Sequence, residues 1–241
     1  EATMNLPLII VVTAALLMLV IVVQALQGRQ KKLEAQQARI RSLGFQPREE
    51  VPPQLQDRVD RLRRHNPERR LQLRKIYQHH GFHQDFYLVD VEERGDQPGR
   101  WMGPETMVVI SSQLALPRFT LMTLPDAGAG RAVDSLADRM LSQIFQWAAQ
   151  ALGLQRIEFP ERPDFHRRFG VLGRNEGAVR NFFNLEIMDY LAQIDLPIAI
   201  EAEGDFLAVS LTYADDRQRQ DHLQDLYRIT RDLTRVFTSG I

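Results

Sequence analysis

The sequence predicts an α+β protein: an N-terminal transmembrane helix and helical stalk, followed by a mainly antiparallel sheet domain with its helices in the second half. Three observations carry this. An uncharged apolar stretch runs from Leu6 to Leu26, and strand-like runs then cluster between residues 70 and 125 with no helical period between them. From Arg131 the pattern changes, and apolar residues recur at three- and four-residue steps.

Residues 1–5 form a short tail ahead of the apolar stretch. From Leu6 to Val23 the chain reads LPLIIVVTAALLMLVIVV. Extended to Leu26 it makes about 31 Å of helix, which matches a hydrocarbon core of about 30 Å. Pro7 falls in the first turn, where its missing N–H costs nothing, and Thr13 can return its hydroxyl proton to a carbonyl one turn back. A cleaved secretory signal would want a basic start, a shorter apolar run and a small-residue cleavage site, and none is evident. Residues 6–26 are therefore expected to anchor the chain through Leu8, Ile9, Val12, Leu16, Leu19 and Val23. No Lys or Arg precedes the stretch, whereas Arg29, Lys31, Lys32, Arg39 and Arg41 follow it. Basic flanks stay inside, so the N-terminus is expected outside and the soluble domain in the cytoplasm. The absence of cysteine from the chain fits a reducing compartment.

Residues 27–53 read as a helical stalk ending at Gly44, then a linker marked by Pro47, Pro52 and Pro53. The folded domain is expected over 54–241, opening with a helix in QLQDRVDRLRRH. The runs LQLRKIYQ, FYLVDV, TMVVISS and RFTLMTL are strand signals, the first two joined by a hairpin turning at His79-His80-Gly81. Between the second and third, Arg94 to Glu105 is a long loop around Trp101. Val133, Leu136, Met140, Ile144, Ala148 and Ala151 mark an amphipathic helix ending before Gly153. Short strands follow in QRIEF and RRFGVLG, then helices in NEGAVRNFF and LEIMDYLAQI, the latter capped by Asn184. IAIEAEGDFLAVSL reads as a hairpin about Glu203-Gly204-Asp205. A last helix, capped by Asp215 or Asp216, turns Leu223, Leu226, Thr230, Leu233 and Phe237 inward. Element order alone allows one alternative, a pleckstrin-homology-like roll closed by the C-terminal helix.

The segment PDFHRRFGVLGRNEGAVRNFF, from Pro163 to Phe183, has a distinctive pattern. Together with the leading anchor, Gly44-Phe45 and Leu116-Pro117-Arg118-Phe119, it resembles uncharacterised single-pass bacterial membrane proteins that carry a domain of unknown function. The resemblance implies anchoring and a bacterial source and supplies no catalytic residues; with the orientation read from the basic flank, the expected location is the bacterial inner membrane.

His79, His80 and His83, with Asp85 nearby, are the one cluster of metal-ligand types. Neighbouring strand residues point to opposite faces, and a distant fourth ligand such as His166 or His222 would be needed, so no metal is expected. Asp126-Ala-Gly128-Ala-Gly130-Arg131 could offer amides to a phosphate, but Val133 stands where a dinucleotide fingerprint wants glycine and no Walker lysine follows. Ser111 and Ser112 lack a nucleophile-elbow context, and Glu92, Glu93, Asp189 and Asp215 show no pairing motif. No catalytic residue and no cofactor is expected.

The overall charge of −1 argues against a general polyanion binder, and no aromatic-interleaved basic motif points to nucleic acid. Locally, residues 58–75 hold eight basic residues against Asp60 and Glu68, a net charge of +6. Arg61, Arg63, Arg64, Arg69 and Arg70 are candidate contacts for anionic lipid headgroups or acidic partners, and Trp101 for a partner surface. A helix with Val59 and Leu62 inward would display arginines outward in any case. The expected function is a non-catalytic, membrane-anchored interaction or scaffold subunit whose partners are the bilayer and other membrane proteins. The alternative is a tethered reader of anionic headgroups through residues 58–75.

Overall fold

In a computed structural model the described residues are 24, 27, 30, 34–63, 70–81, 84–94, 105–124, 149, 153–212 and 222–239. At 62, 63, 70–72 and 91–94 the description covers the backbone alone. The chain divides into two units, Glu1–Gly44 and Phe45–Ile241. In the first, helix α1 covers 34–42 and closes at Gly44, whose φ of 84° is the left-handed conformation a helix C-terminus asks of glycine. The expected anchor residues Leu8, Ile9, Val12, Leu16, Leu19 and Val23 lie outside the described residues. Among the described residues no helix is long and apolar enough to cross a membrane.

The second unit is α+β and is built on one large antiparallel sheet. Its elements in chain order are β1 (Gln46–Arg48), α2 (Pro53–Arg63), β2 (Arg70–Gly81), β3 (Gln84–Arg94), β4 (Glu105–Ile110), β5 (Leu116–Thr123), β6 (Gln155–Ile157), α3 (Pro163–Arg168), β7 (Phe169–Gly173), α4 (Glu176–Phe182), α5 (Leu185–Ala192), β8 (Ile198–Gly204), β9 (Phe206–Leu211) and α6 (Leu223–Ser239). The nine strands lie in the order β1-β2-β3-β4-β9-β8-β5-β7-β6, every neighbouring pair antiparallel. With β1 and β6 at its edges, the sheet is not a closed roll; α6 lies against β4 and β9 in its middle. β1 falls in the stretch read from its prolines as linker. The β2–β3 hairpin also turns two residues later than expected: His79, His80 and Gly81 are paired strand residues, the last opposite Gln84.

Register sorts the side chains into two faces, because paired residues project to the same side of a sheet and neighbours along a strand to opposite sides. One row crosses the sheet through His79, Phe86, Val109, Leu207, Ala202, Phe119 and Gly173. This is the face that takes α6. Phe119 meets Phe182, Phe183 and Phe237 with ring centroids 5.0–6.3 Å apart, and Phe159, Phe165 and Phe169 extend the stack beneath α3. Tilted and edge-on contacts of this kind add to the area that each ring buries. Much of the Pro163–Phe183 pattern is thereby explained as packing: Phe165, Phe169 and Phe183 are buried rings of this core. α6 can present threonine inward since Thr230 and Thr234 donate to Leu226 O and Thr230 O, at 2.7 and 2.8 Å.

The other face carries the row Gln78, Tyr87, Val108, Ala208, Glu201, Thr120, Leu172 and Arg156. Over its β2–β9 half lies α2, whose Leu55 and Val59 pack on Ile76, Tyr87, Val89, Val108, Phe206 and Ala208. Covered on both sides, β9 is buried at all six positions. That is why FLAVSL lacks the polar alternation of a one-faced strand.

Candidate functional site

α5 and α6 pack side by side on the aromatic face, and each is built from local signals. The Asn184 side chain accepts from Ile187 N at 3.0 Å, capping α5, and Asn175 caps α4 in the same way through Ala178 N. α5 buries Ile187, Met188 and Leu191 and leaves Leu185, Glu186, Asp189 and Gln193 exposed on its outer side. At its C-terminus the free carbonyls are satisfied by Arg168, which donates to Ala192 O at 2.7 Å and to Ile194 O. The 194–197 segment is thus held as it turns into β8.

Where α5 ends, a cleft of about 360 Å3 opens between it and α6. Tyr190, Gln193, Ile194, Asp195 and Leu196 line one wall and Asp225, Arg228, Ile229 and Asp232 the other. Ile194 and Ile229 are buried, so the floor is apolar while the rim is charged. Asp225 is engaged by Arg228 Nη2 and by His222 Nδ1, both at 3.0 Å. Asp232 is different. Its carboxylate lies 3.6 Å from Arg231 and 4.0 Å from Arg235, both beyond hydrogen-bonding distance, although its side chain is only 24% exposed. Asp195 is almost wholly in water, 4.0 Å from Arg168. Burial, reinforced by the negative charge of Asp232, pushes the Tyr190 phenol up to about 12 against the opposing pull of Arg228, Arg235 and Arg231. Tyr190 therefore stays a neutral hydroxyl at physiological pH, able to donate or accept.

A second polar centre lies on the opposite face of the sheet. Glu201 sits directly across from Thr120, and Arg118 two positions back on β5 places Nη1 3.8 Å from Glu203 Oε2. Arg118, Thr120 and Glu201 are all buried. Among the described residues none of their side-chain nitrogens and oxygens has a hydrogen-bond partner. Such atoms carry a desolvation cost with no compensating bond.

Of the residues singled out from the sequence, Arg61 is exposed on α2. Arg63 and Arg70 are placed by their backbone at the end of α2 and the start of β2, and Arg64, Arg69 and Trp101 lie outside the described residues. Within the same basic stretch Arg58 is tied to Asp205 at 2.5 Å. Arg61 does not line the cleft, so the structure does not bring these candidates to one described site. The histidines are dispersed. His79 packs among Phe45, Phe86 and Tyr227, whereas His80 bonds Asp85 at 2.7 Å on the other face, and His222 serves Asp225. Among the described residues no group of three His, Cys, Asp or Glu is placed to hold a metal ion. The cleft residues were not anticipated. Their one visible signal is Asp225, Arg228 and Asp232 at i, i+3 and i+7 on α6, a charged stripe beside its apolar face.

Together the fold and the cleft define an antiparallel α+β domain with an acid-rimmed, apolar-floored groove between two helices. No protein-family model matches the chain, and no curated protein matches it. Among solved structures, the chain is similar to the mycobacterial trehalose monomycolate transport factor A, TtfA, at 12% identity and a TM-score of 0.47. That match covers 83% of this chain and 93% of the other.

Proposed function

We propose that this chain is a non-catalytic, membrane-tethered interaction subunit that assembles with or stabilises a bacterial membrane protein complex. In this reading residues 6–26 hold the chain in the bilayer, and the domain from Phe45 onward presents a rigid surface at the inner leaflet. The observation that supports it is the α5–α6 groove. One wall is α6, the other is the C-terminal end of α5 with the 193–196 segment that follows it, the floor is apolar, and Leu185 on α5 is the one large hydrophobic side chain exposed among the described residues, at 61%. An apolar centre ringed by charge is the anatomy of a protein-binding patch.

The test is extraction of the full chain from its native membrane in mild detergent, comparing wild type with a variant whose groove is filled by Ile229→Trp. Expected outcomes are sedimentation with the membrane, release only by detergent, and defined membrane proteins that accompany the wild type but not the variant. Recovery in the detergent-free supernatant, or an identical solitary species for both chains, would overturn the proposal. Thermal unfolding of the variant separates a filled groove from a misfolded domain.

A further inference from the structure

We infer that the α5–α6 cleft docks a basic segment of a partner protein, taking one guanidinium or ammonium side chain among Asp195, Asp225 and Asp232. This rests on the interaction-subunit reading and adds to it the chemistry of the partner.

Charge points this way first. Three carboxylates and one guanidinium line the cleft, and that guanidinium, Arg228, is already committed to Asp225 at 3.0 Å. Asp232 is the acceptor left over. It is mostly withdrawn from water, and its nearest cations stand at 3.6 and 4.0 Å on side chains that are themselves 58% and 76% exposed. An ionised carboxylate has about four lone-pair sites to offer, so an entering N–H donor finds unfilled capacity there. Arg168, Arg231 and Arg235 also stand within 4.0 Å of Asp195 or Asp232, but none of the three lines the cleft or comes within hydrogen-bonding distance of an aspartate there.

Shape points the same way. The buried Ile194 and Ile229 form an apolar floor beneath charged walls. A long basic side chain matches that layout, its methylene stem on the floor and its head at the rim. The neutral Tyr190 hydroxyl adds a hydrogen-bonding group at the wall.

Leu185 sets the register of the occupant. It and Gln193, which lines the cleft, are exposed on the outer side of α5 and separated by eight positions, about 12 Å of helix. Extended chain covers that distance in about four residues. The occupant therefore places an apolar residue about four positions from its basic one, with Glu186 exposed along the path and Asp189 there already held by Arg162.

The experiment uses the full chain in nanodiscs of neutral phospholipid and a fluorescent synthetic ten-residue peptide bearing one leucine and, four positions on, one arginine. Controls replace the arginine by citrulline or by glutamate. Expected results are saturable binding of the arginine peptide that declines with added salt, at least tenfold weaker with citrulline and absent with glutamate. Asp232→Asn and Asp195→Asn should each weaken it, the former about tenfold, and Leu185→Ser several-fold. Asp195 is so exposed that its variant keeps the test valid should Asp232→Asn disturb folding. Equal binding of the citrulline or glutamate peptide, indifference to both aspartate variants, or no binding at all would overturn the inference. If no peptide binds while a photo-crosslinker at Gln193 still captures a membrane protein, the basic occupant is refuted and the interaction subunit stands. If both fail, both fall.

Discussion

Arg58 on α2 donates from Nη2 to Asp205 Oδ2 at 2.5 Å, joining residues 147 positions apart and fastening α2 to the β8–β9 turn. The bond to Asp205 favours the charged guanidinium and raises its pKa further. Both side chains are partly withdrawn from solvent, at 21% and 29% exposure, so the pair is worth more than a surface ion pair. A double-mutant cycle of Arg58→Ala and Asp205→Asn should give a coupling of about 1–2 kcal/mol in denaturant unfolding. A coupling indistinguishable from zero would mean that α2 is held by Leu55 and Val59 alone.

Gly173 has no room for a side chain. A Cβ built there would stand 2.5 Å from Ile157 Cδ1 and 2.7 Å from Val179 Cγ2, between β6 and α4. Gly173→Ala should cost about 1–3 kcal/mol of unfolding free energy, because packed neighbours must move. A thermal midpoint within a degree of wild type would show that the β6–β7 edge yields freely.

How far the sequence led can be judged from such positions. The β8–β9 hairpin was legible because Gly204 sits between two strand-like apolar runs, and it does adopt φ 61°. The Asn184 cap and the inward face of α6 were legible for the same reason, each being a local pattern. α3 was missed since the six residues Pro163–Arg168 are too few to show a helical period. β1 was missed since three residues, one of them proline, pair at a sheet edge that only β2 supplies. Of the cleft only the Asp225, Arg228 and Asp232 stripe on α6 was visible. Its walls come from 190–196 and 225–232, and no spacing in the chain announces that two segments so far apart lie side by side.

Glu201 provides a test of the second polar centre. Its two carboxylate oxygens are buried with no hydrogen-bond partner among the described residues. Replacing a buried polar group that lacks a hydrogen bond with an apolar side chain of similar size removes a desolvation cost, so Glu201→Leu should stabilise the fold by about 1–3 kcal/mol. A loss of stability of that size would reveal a bond between Glu201 and some group outside the described residues.

Two tyrosines should register alkaline pH. Burial, with the nearby Asp85, pushes Tyr87 up to about 12, and burial with Asp232 does the same for Tyr190. Between about pH 10 and 12 the unfolded chain loses these protons while the folded chain keeps them, so stability is complete below 10 and falls as pH rises through 12. The fall attributable to Tyr87 is about 1–2 kcal/mol once partial solvent screening is allowed for. Absorbance at 295 nm, followed with pH, should show a late-ionising component to which Tyr87 and Tyr190 each contribute, and Tyr190→Phe should remove one tyrosine from it. Ionisation of all five tyrosines near pH 10 in the folded protein would contradict the burial of both rings.

The central claim, that a tethered domain holds a membrane partner through the α5–α6 groove, is tested most directly by a photo-activated crosslinking residue placed at Gln193 in the full chain in native membranes. Arg61, exposed on α2, serves as the comparison position. The expected result is a discrete crosslinked species containing another membrane protein from position 193 and none from position 61. Crosslinks from position 61 alone, or lipid and solvent adducts only from 193, would contradict it.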